Sequence, residues 1–100
     1  MKINVQFEKM DTSEFMEAFA LKKLNKLGEK YNWLINADVF YKQEKDPKGK
    51  GKICKIELSL VGSKIFAFSN ETSFKEATAE TIRDLEKQLE KRKKEMKPYL

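Results

Sequence analysis

Residues 54–76 read CKIELSLVGSKIFAFSNETSFKE and combine two strand patterns, a turn and the start of a helix. The first pattern alternates apolar with polar side chains, which is the period of a strand with one buried face. Its apolar positions are Cys54, Ile56, Leu58 and Leu60. Gly62-Ser63 predicts a turn, and Ile65 to Ser69 predicts the next strand. Such a short connection makes these two strands antiparallel neighbours.

A long helix is predicted immediately after the second of these strands. Ser73-x-x-Glu76 forms a capping box, in which the serine side chain satisfies a free backbone N–H at the helix start. An apolar stripe then recurs at the helical period. It comprises Phe74, Thr78, Thr81, Leu85, Leu89 and Met96. Pro98 ends the pattern near the C-terminus.

The residues before this segment predict a strand and a first helix. Met1 to Phe7 alternates polar with apolar side chains, as a half-buried strand does. Asp11-Thr12-Ser13-Glu14 then supplies N-cap residues and acidic charge for a first helical turn. The apolar stripe of this helix comprises Met16, Ala20, Leu24, Leu27 and Tyr31. Phe15 and Phe19 lie off that stripe, which leaves open a broader packed face.

One more strand and a loop complete the pattern. Ala37, Val39 and Tyr41 lie on one side of the strand, and Lys45 to Gly51, with a proline and two glycines, predicts the loop. The order is therefore β-α-β-β-β-α. The helical first connection suits a parallel crossover between the first two strands. Because each helix has one apolar stripe, we predict a single α+β domain over residues 1–100, with both helices on one face of a four-stranded sheet.

The composition argues against several classes of function. The chain has 21 Lys+Arg, 16 Asp+Glu, a net charge of +5, one cysteine and no histidine. The commonest general base and metal ligand is therefore missing, and Cys54 lies on the apolar side of its strand, where a buried thiol is inert. A single cysteine suits a reducing cytoplasm, and no stretch resembles a signal peptide or a membrane span. We expect no enzyme, metal, cofactor, small-molecule substrate or membrane partner.

The basic residues are concentrated on the two helices. The second helix carries a row that occupies a sector of roughly 80°, nearly opposite its apolar stripe. This row consists of Arg83, Lys87, Lys91 and Lys94, and it is widened by Arg92, Lys93 and Lys97. A similar row on the first helix consists of Lys22, Lys26 and Lys30, with Lys23 beside it. Two helices on one sheet face bring the rows together into a positive groove, for which phosphate is the natural partner.

Other interpretations of these features stay open. Lysine-rich outer faces also solvate a helix, with acidic neighbours pairing at i+4 spacing. A basic amphipathic helix can bind anionic lipid, although here the core uses the apolar side. The basic loop of residues 45–52 is either a mobile surface loop or an additional phosphate contact. Tyr31 and Trp33 either pack at the end of the first helix or stack on bases.

The chain resembles the short ribosome hibernation-promoting factors and the related ribosome-associated inhibitor, also known as ribosomal subunit interface proteins. The resemblance covers essentially the whole length and includes the β-α-β-β-β-α order. The sequence pieces that carry it are Lys23-x-x-Lys26-Leu27, Leu34-Ile35-Asn36 and Leu85-Glu86-Lys87-Gln88-Leu89-x-Lys91. Long family members add a second, dimerising domain, and the associated inhibitor has an acidic tail. Because neither is present here, we expect the short type.

The resemblance implies a protein that binds the small ribosomal subunit between its head and body. It would store ribosomes under stress or in stationary phase by occupying the space of messenger and transfer RNA. The rRNA contacts that match the family motifs are Lys23, Lys26, Lys87, Lys91 and Lys93. Helical geometry adds Lys22, Lys30, Arg83, Arg92 and Lys94.

The same resemblance implies a fold like that of the double-stranded-RNA-binding domains, a cytoplasmic location and a monomer off the ribosome. Two alternatives remain open. One is a general binder of duplex RNA that reads the A-form shape. The other is a protein-interaction module whose helices dock an acidic partner.

Overall fold

The computed structural model describes residues 1–96 and contains the six predicted elements in the predicted order. They are β1 (Lys2–Glu8), α1 (Glu14–Lys30), β2 (Asn36–Gln43), β3 (Lys52–Leu60), β4 (Ser63–Glu71) and α2 (Phe74–Met96). Strand β4 is longer than predicted because its pairing with β3 begins at Ser63, which was predicted to lie in the turn, and continues to Glu71. The predictions for Lys97, Pro98 and the Met96 side chain lie outside the described part of the chain.

The four strands form one sheet in the order β1-β2-β3-β4. Strands β1 and β2 are parallel because α1 returns the chain between them, and the other neighbouring pairs are antiparallel. One row across the sheet runs from Val5 through Val39 and Ile56 to Ala67. This row belongs to the face that both helices cover, so the predicted α+β architecture is confirmed.

The core lies between that sheet face and the two helices. All five predicted stripe residues of α1 are buried. In α2 the buried residues are Ala77, Thr78, Thr81, Ile82, Leu85 and Leu89, which confirms the predicted stripe and widens it. Phe19 is half-buried against the core, but Phe15 is 66% exposed. The packed face of α1 therefore does not extend to Phe15.

The two buried threonines of α2 are satisfied by hydrogen bonds. The Thr81 hydroxyl donates to the Ala77 carbonyl oxygen at 2.7 Å. The hydroxyl oxygens of Thr78 and Tyr41 lie 2.6 Å apart in a buried hydrogen bond. Within residues 1–96 no buried side-chain nitrogen or oxygen lacks a partner. Threonine can therefore occupy core positions of this helix without leaving a polar atom unpaired.

Both helices begin at the predicted serines. The Ser13 side chain accepts from the Met16 N–H at 3.2 Å, and the Ser73 side chain accepts from the Glu76 N–H at 3.1 Å. The Glu76 carboxylate accepts from the Thr72 hydroxyl at 2.9 Å. The serine half of the capping box is thus present. The Glu76 carboxylate, however, binds the side chain of Thr72, one residue before the cap.

The predicted loop between β2 and β3 is held by backbone hydrogen bonds. The Glu44 N–H donates to the Gly51 carbonyl oxygen at 2.9 Å, and the Gly51 N–H donates to Asn70 Oδ1 at 2.7 Å. Gly51 has φ of +124°, and a Cβ there would lie 2.1 Å from the Glu44 carbonyl oxygen. Only glycine fits this position, because both the dihedral angle and the space exclude a side chain.

Candidate nucleic-acid interface

Helices α1 and α2 lie side by side and run in the same direction. Near their first turns, the Nζ atoms of Lys23 and Lys75 lie 5.6 Å and 5.7 Å from the centre of the Phe19 ring. Farther along, Lys30 pairs with Glu86. Position therefore increases along both helices together, and the end of α1 lies beside the second half of α2.

The second half of this helix pair forms an open groove, which we call the inter-helix groove. It is lined by Lys30, Arg83, Glu86, Lys87, Glu90, Lys91 and Lys94. Five of these side chains are basic and two are acidic, so positive charge is in excess. The structure thus brings together five of the residues predicted to contact RNA, one from α1 and four from α2.

Two contacts across the groove fix the spacing of the helices. Lys30 Nζ lies 2.7 Å from Glu86 Oε2, and the Tyr31 hydroxyl donates to the Glu90 carboxylate. The hydrogen bond from Tyr31, with smaller contributions from nearby lysines, lowers the pKa of Glu90, and the hydrogen bond to Glu86 raises the pKa of Lys30. Lys30 therefore stays protonated and Glu90 stays ionised near neutral pH.

The other groove lysines have a different role from Lys30. Within residues 1–96, Lys87, Lys91 and Lys94 form no salt bridge, and their side chains are exposed. Arg83 pairs with Glu80 on its own helix. A multivalent anion entering the groove would meet these three ammonium groups without first breaking an ion pair.

The first half of the helix pair carries a second cluster, which we call the aromatic end. It consists of Phe15, Phe19, Lys23 and Lys75. Lys23 was a predicted RNA contact, but Lys75 was missed because it lies in the first turn of α2, away from the basic row. Lys75 could have been included only if the parallel direction of the helices had been known, since that direction places their first turns next to each other.

The remaining predicted contacts lie outside both clusters. Lys22, Lys26 and Lys93 are exposed but do not line the groove. Arg92 is half-buried and donates to Ser63 Oγ at 3.0 Å, at the start of β4. This places Arg92 on the opposite side of α2 from α1. Its hydrogen bond gives it a structural role.

The uncovered side of the sheet, which we call the sheet face, has a different composition. Phe66 and Phe68 are 58% and 63% exposed there. Lys55 Nζ lies 5.9 Å from the centres of both the Phe40 and Phe66 rings. The charged residues of this face are of both signs and comprise Lys2, Glu8, Asp38, Lys42, Lys55, Glu57 and Lys64. Sequence patterns did not predict these exposed phenylalanines.

The described residues include a buried cysteine and a buried partner of an aromatic pair. Burial raises the pKa of the Cys54 thiol to about 11, which keeps it protonated and inert, as predicted. No cluster of three or more metal-ligating side chains occurs within residues 1–96. Tyr31 is buried, which confirms core packing for this residue, and Trp33, which it meets edge to face at 5.9 Å, is half-buried against the core. Among the described helices, none has the length and apolarity to span a bilayer.

Comparison with known proteins identifies the family of this chain. The family model described as sigma 54 modulation protein / S30EA ribosomal protein matches residues 3–97. The chain belongs to this family. The predicted resemblance is therefore confirmed, and the protein is a ribosome-associated protein of the hibernation and subunit-interface type. No curated protein matches the sequence significantly.

Two solved structures share the fold. A ribosomal subunit interface protein from Coxiella burnetii has a TM-score of 0.82 and 25% sequence identity, covering 93% of this chain and 98% of its own. The N-terminal domain of Protein Y from Thermus thermophilus has a TM-score of 0.76 and 19% identity, covering 91% and 98%. The second likeness concerns the fold alone, because its sequence identity is low.

Proposed function

We propose that this protein is a hibernation factor that binds small-subunit rRNA through the solvent side of α1 and α2, which we call the helix face. The observation that carries the proposal is the excess of positive charge in the inter-helix groove, in a chain of a ribosome-associated family. Bound in the channel for messenger and transfer RNA, the protein would inhibit translation by occupancy alone. Its place of action would be the cytoplasm, where ribosomes work.

Phosphate binding supplies the affinity in this proposal. Each lysine that neutralises a phosphate releases condensed counterions, so binding weakens steeply as salt increases. The groove is suited to this because Lys87, Lys91 and Lys94 are exposed, whereas Lys30 is paired with Glu86. Along α2 these three cations follow one another in a row, and RNA backbones likewise present phosphates in rows.

Co-sedimentation with isolated small subunits over a salt series tests this proposal. One variant replaces Lys23, Lys26, Lys87 and Lys91 on the helix face with glutamine. Its matched control replaces Lys2, Lys42, Lys55 and Lys64 on the sheet face, so both variants lose the same charge. We expect stoichiometric binding by the wild type and the control. We expect the helix-face variant to bind roughly 100-fold or more weakly at moderate salt, because four phosphate contacts are lost.

The same assay separates the alternatives. Equal loss in both variants would indicate a response to net charge and would contradict the proposal. Competition by free duplex RNA at the same concentration as small subunits would favour a general duplex binder. Equal competition by an acidic polypeptide would favour a protein-docking module. A translation assay with the two variants then checks occupancy, and sedimentation of the free protein checks the expected monomer.

A further inference from the structure

We propose that Phe15 is a stacking site for one unpaired nucleobase of the bound RNA, with Lys23 and Lys75 binding the adjacent phosphates. This inference rests on the proposed function and adds a subsite to it. The lysine rows account for affinity toward any polyanion. A flat aromatic side chain in the same surface would select single-stranded or bulged nucleotides, since every base presents a π-face.

The exposure of Phe15 is the first observation behind this inference. The side chain lies on α1 with 66% of its surface in solvent. Its ring is nearly parallel to that of Phe19, with an interplanar angle of 13° and centroids 6.5 Å apart. Phe19 is itself half-buried against the core. The Phe15 ring is therefore supported on one side by an ordered neighbour and is largely open to solvent elsewhere.

Two cations beside the aromatic pair point to a nucleotide, in a first turn of α1 that also carries Glu14 and Glu17. Lys23 and Lys75, one from each helix, both lie within 5.7 Å of the Phe19 ring centre. Along α1, the surface that begins at Phe15 and Phe19 continues to Lys22 and Lys26 at helical spacing. An aromatic ring at the end of a row of cations is the combination that single-stranded nucleic acid requires.

The sheet face shows what an aromatic surface looks like without this charge pattern. Phe68 is 63% exposed, nearly as much as Phe15, yet its sheet neighbours include Glu57 as well as Lys55. The exposed ring alone therefore does not distinguish the two sites. The difference is that the aromatic end is formed by the same two helices as the inter-helix groove.

Matched substitutions of these two phenylalanines test the inference. Phe15→Leu and Phe68→Leu remove rings of similar exposure from opposite sides of the molecule. Affinity for isolated small subunits is measured over a salt series. The fluorophore is attached to the N-terminus because Cys54 is buried and cannot be labelled in the folded protein. We expect Phe15→Leu to weaken binding roughly 5- to 100-fold, the range reported for a lost base stack, and Phe68→Leu to leave it unchanged. Phe15→Trp should retain wild-type affinity.

Two further readouts identify the contact as stacking. The Phe15→Leu loss should be the same at every salt concentration, because no phosphate contact is removed, whereas Lys75→Gln should reduce the slope of log K against log salt concentration by about 0.7, the value for one single-strand phosphate. In a Phe15→Trp, Trp33→Phe variant, stacking on a base should quench the indole fluorescence when small subunits are added. A blue-shifted increase would indicate an apolar protein contact and would overturn the inference.

The result also separates this inference from the function on which it depends. If the wild type binds small subunits and Phe15→Leu binds equally well, the stacking site is wrong while the hibernation function stands. If Phe68→Leu weakens binding instead, the nucleotide site is wrong and the sheet face contributes to binding. If the wild type does not bind small subunits at all, the proposed function itself fails.

Discussion

The helix face and the sheet face contain the same residue types in different arrangements. Both expose lysine and phenylalanine, and both include carboxylates. On the sheet face, Lys55 lies beside Glu57 on one strand, with Asp38 opposite that glutamate on the next. On the helix face, Lys87, Lys91 and Lys94 follow one another along one side of α2.

Secondary-structure period explains this difference. In a strand, residues two apart share a face, and cross-strand partners lie directly opposite, so a mixed sequence gives a mosaic of charge. In a helix, residues three and four apart share a face, so basic residues at that spacing form a row even when acidic residues intervene in the sequence. A polyanion therefore distinguishes the row of basic residues on the helix face from the mixed charges on the sheet face.

The largest expected effect concerns the core that both faces share. Leu85 is fully buried, and Leu85→Ala should lower the free energy of unfolding by about 2–5 kcal/mol through lost burial and a residual cavity. Urea unfolding followed by circular dichroism and by Trp33 fluorescence should give coincident transitions. Val61→Ala is the control, because Val61 is 85% exposed and its change should stay within about 0.5 kcal/mol. Separate transitions would mean that the two faces unfold independently.

The next largest effect is the loss of binding affinity on replacing one lysine of the helix face, with one lysine of the sheet face as the control. Lys87→Gln should weaken small-subunit binding by about tenfold near 0.1 M salt and reduce the salt slope by about 0.9. Lys64→Gln on the sheet face removes the same charge and should change neither quantity. Both are read from binding isotherms over a salt series. A similar slope change in both variants would remove the functional distinction between the faces.

Removing a carboxylate should have a smaller effect of opposite sign. Glu86→Gln releases Lys30 from its 2.7 Å ion pair and should strengthen binding roughly two- to fivefold, because exposed pairs contribute at most about 1 kcal/mol. Glu57→Gln is the matched control, since Glu57 lies 3.9 Å from Lys55 on the sheet face. Unchanged affinity in Glu86→Gln would show that Lys30 serves only to pair the helices.

The smallest effect is a pH dependence of stability. The Tyr31 hydrogen bond lowers the pKa of Glu90 in the folded protein, so its contribution is complete above the ordinary pKa of 4.5 and is lost as pH falls through the folded value. Tyr31→Phe should therefore flatten the decline in stability below that pH. Tyr41→Phe is the control, because its partner is the Thr78 hydroxyl. Equal acid slopes in both variants and the wild type would contradict this role for Glu90.

Much of the fold could be predicted because its signals are local. The stripe from Met16 to Tyr31, the caps at Ser13 and Ser73, and the turn at Gly62 depend on residues within one element or its connection. Strand β4 was harder, because Ile65-Phe66-Ala67-Phe68 is apolar on both sides. Pairing with β3 places the smaller residues in the core and leaves both phenylalanines outside.

The sequence by itself determined the element order, the core stripes and the two basic rows, because periodicity within an element requires no knowledge of its neighbours. The tertiary structure decided which charges meet. It placed Lys30 against Glu86, brought Lys75 to the Phe19 ring, and turned Arg92 toward Ser63. These pairings depend on the direction and spacing of packed helices, which arise from a core assembled from all six elements, and no single stretch of sequence contains that information.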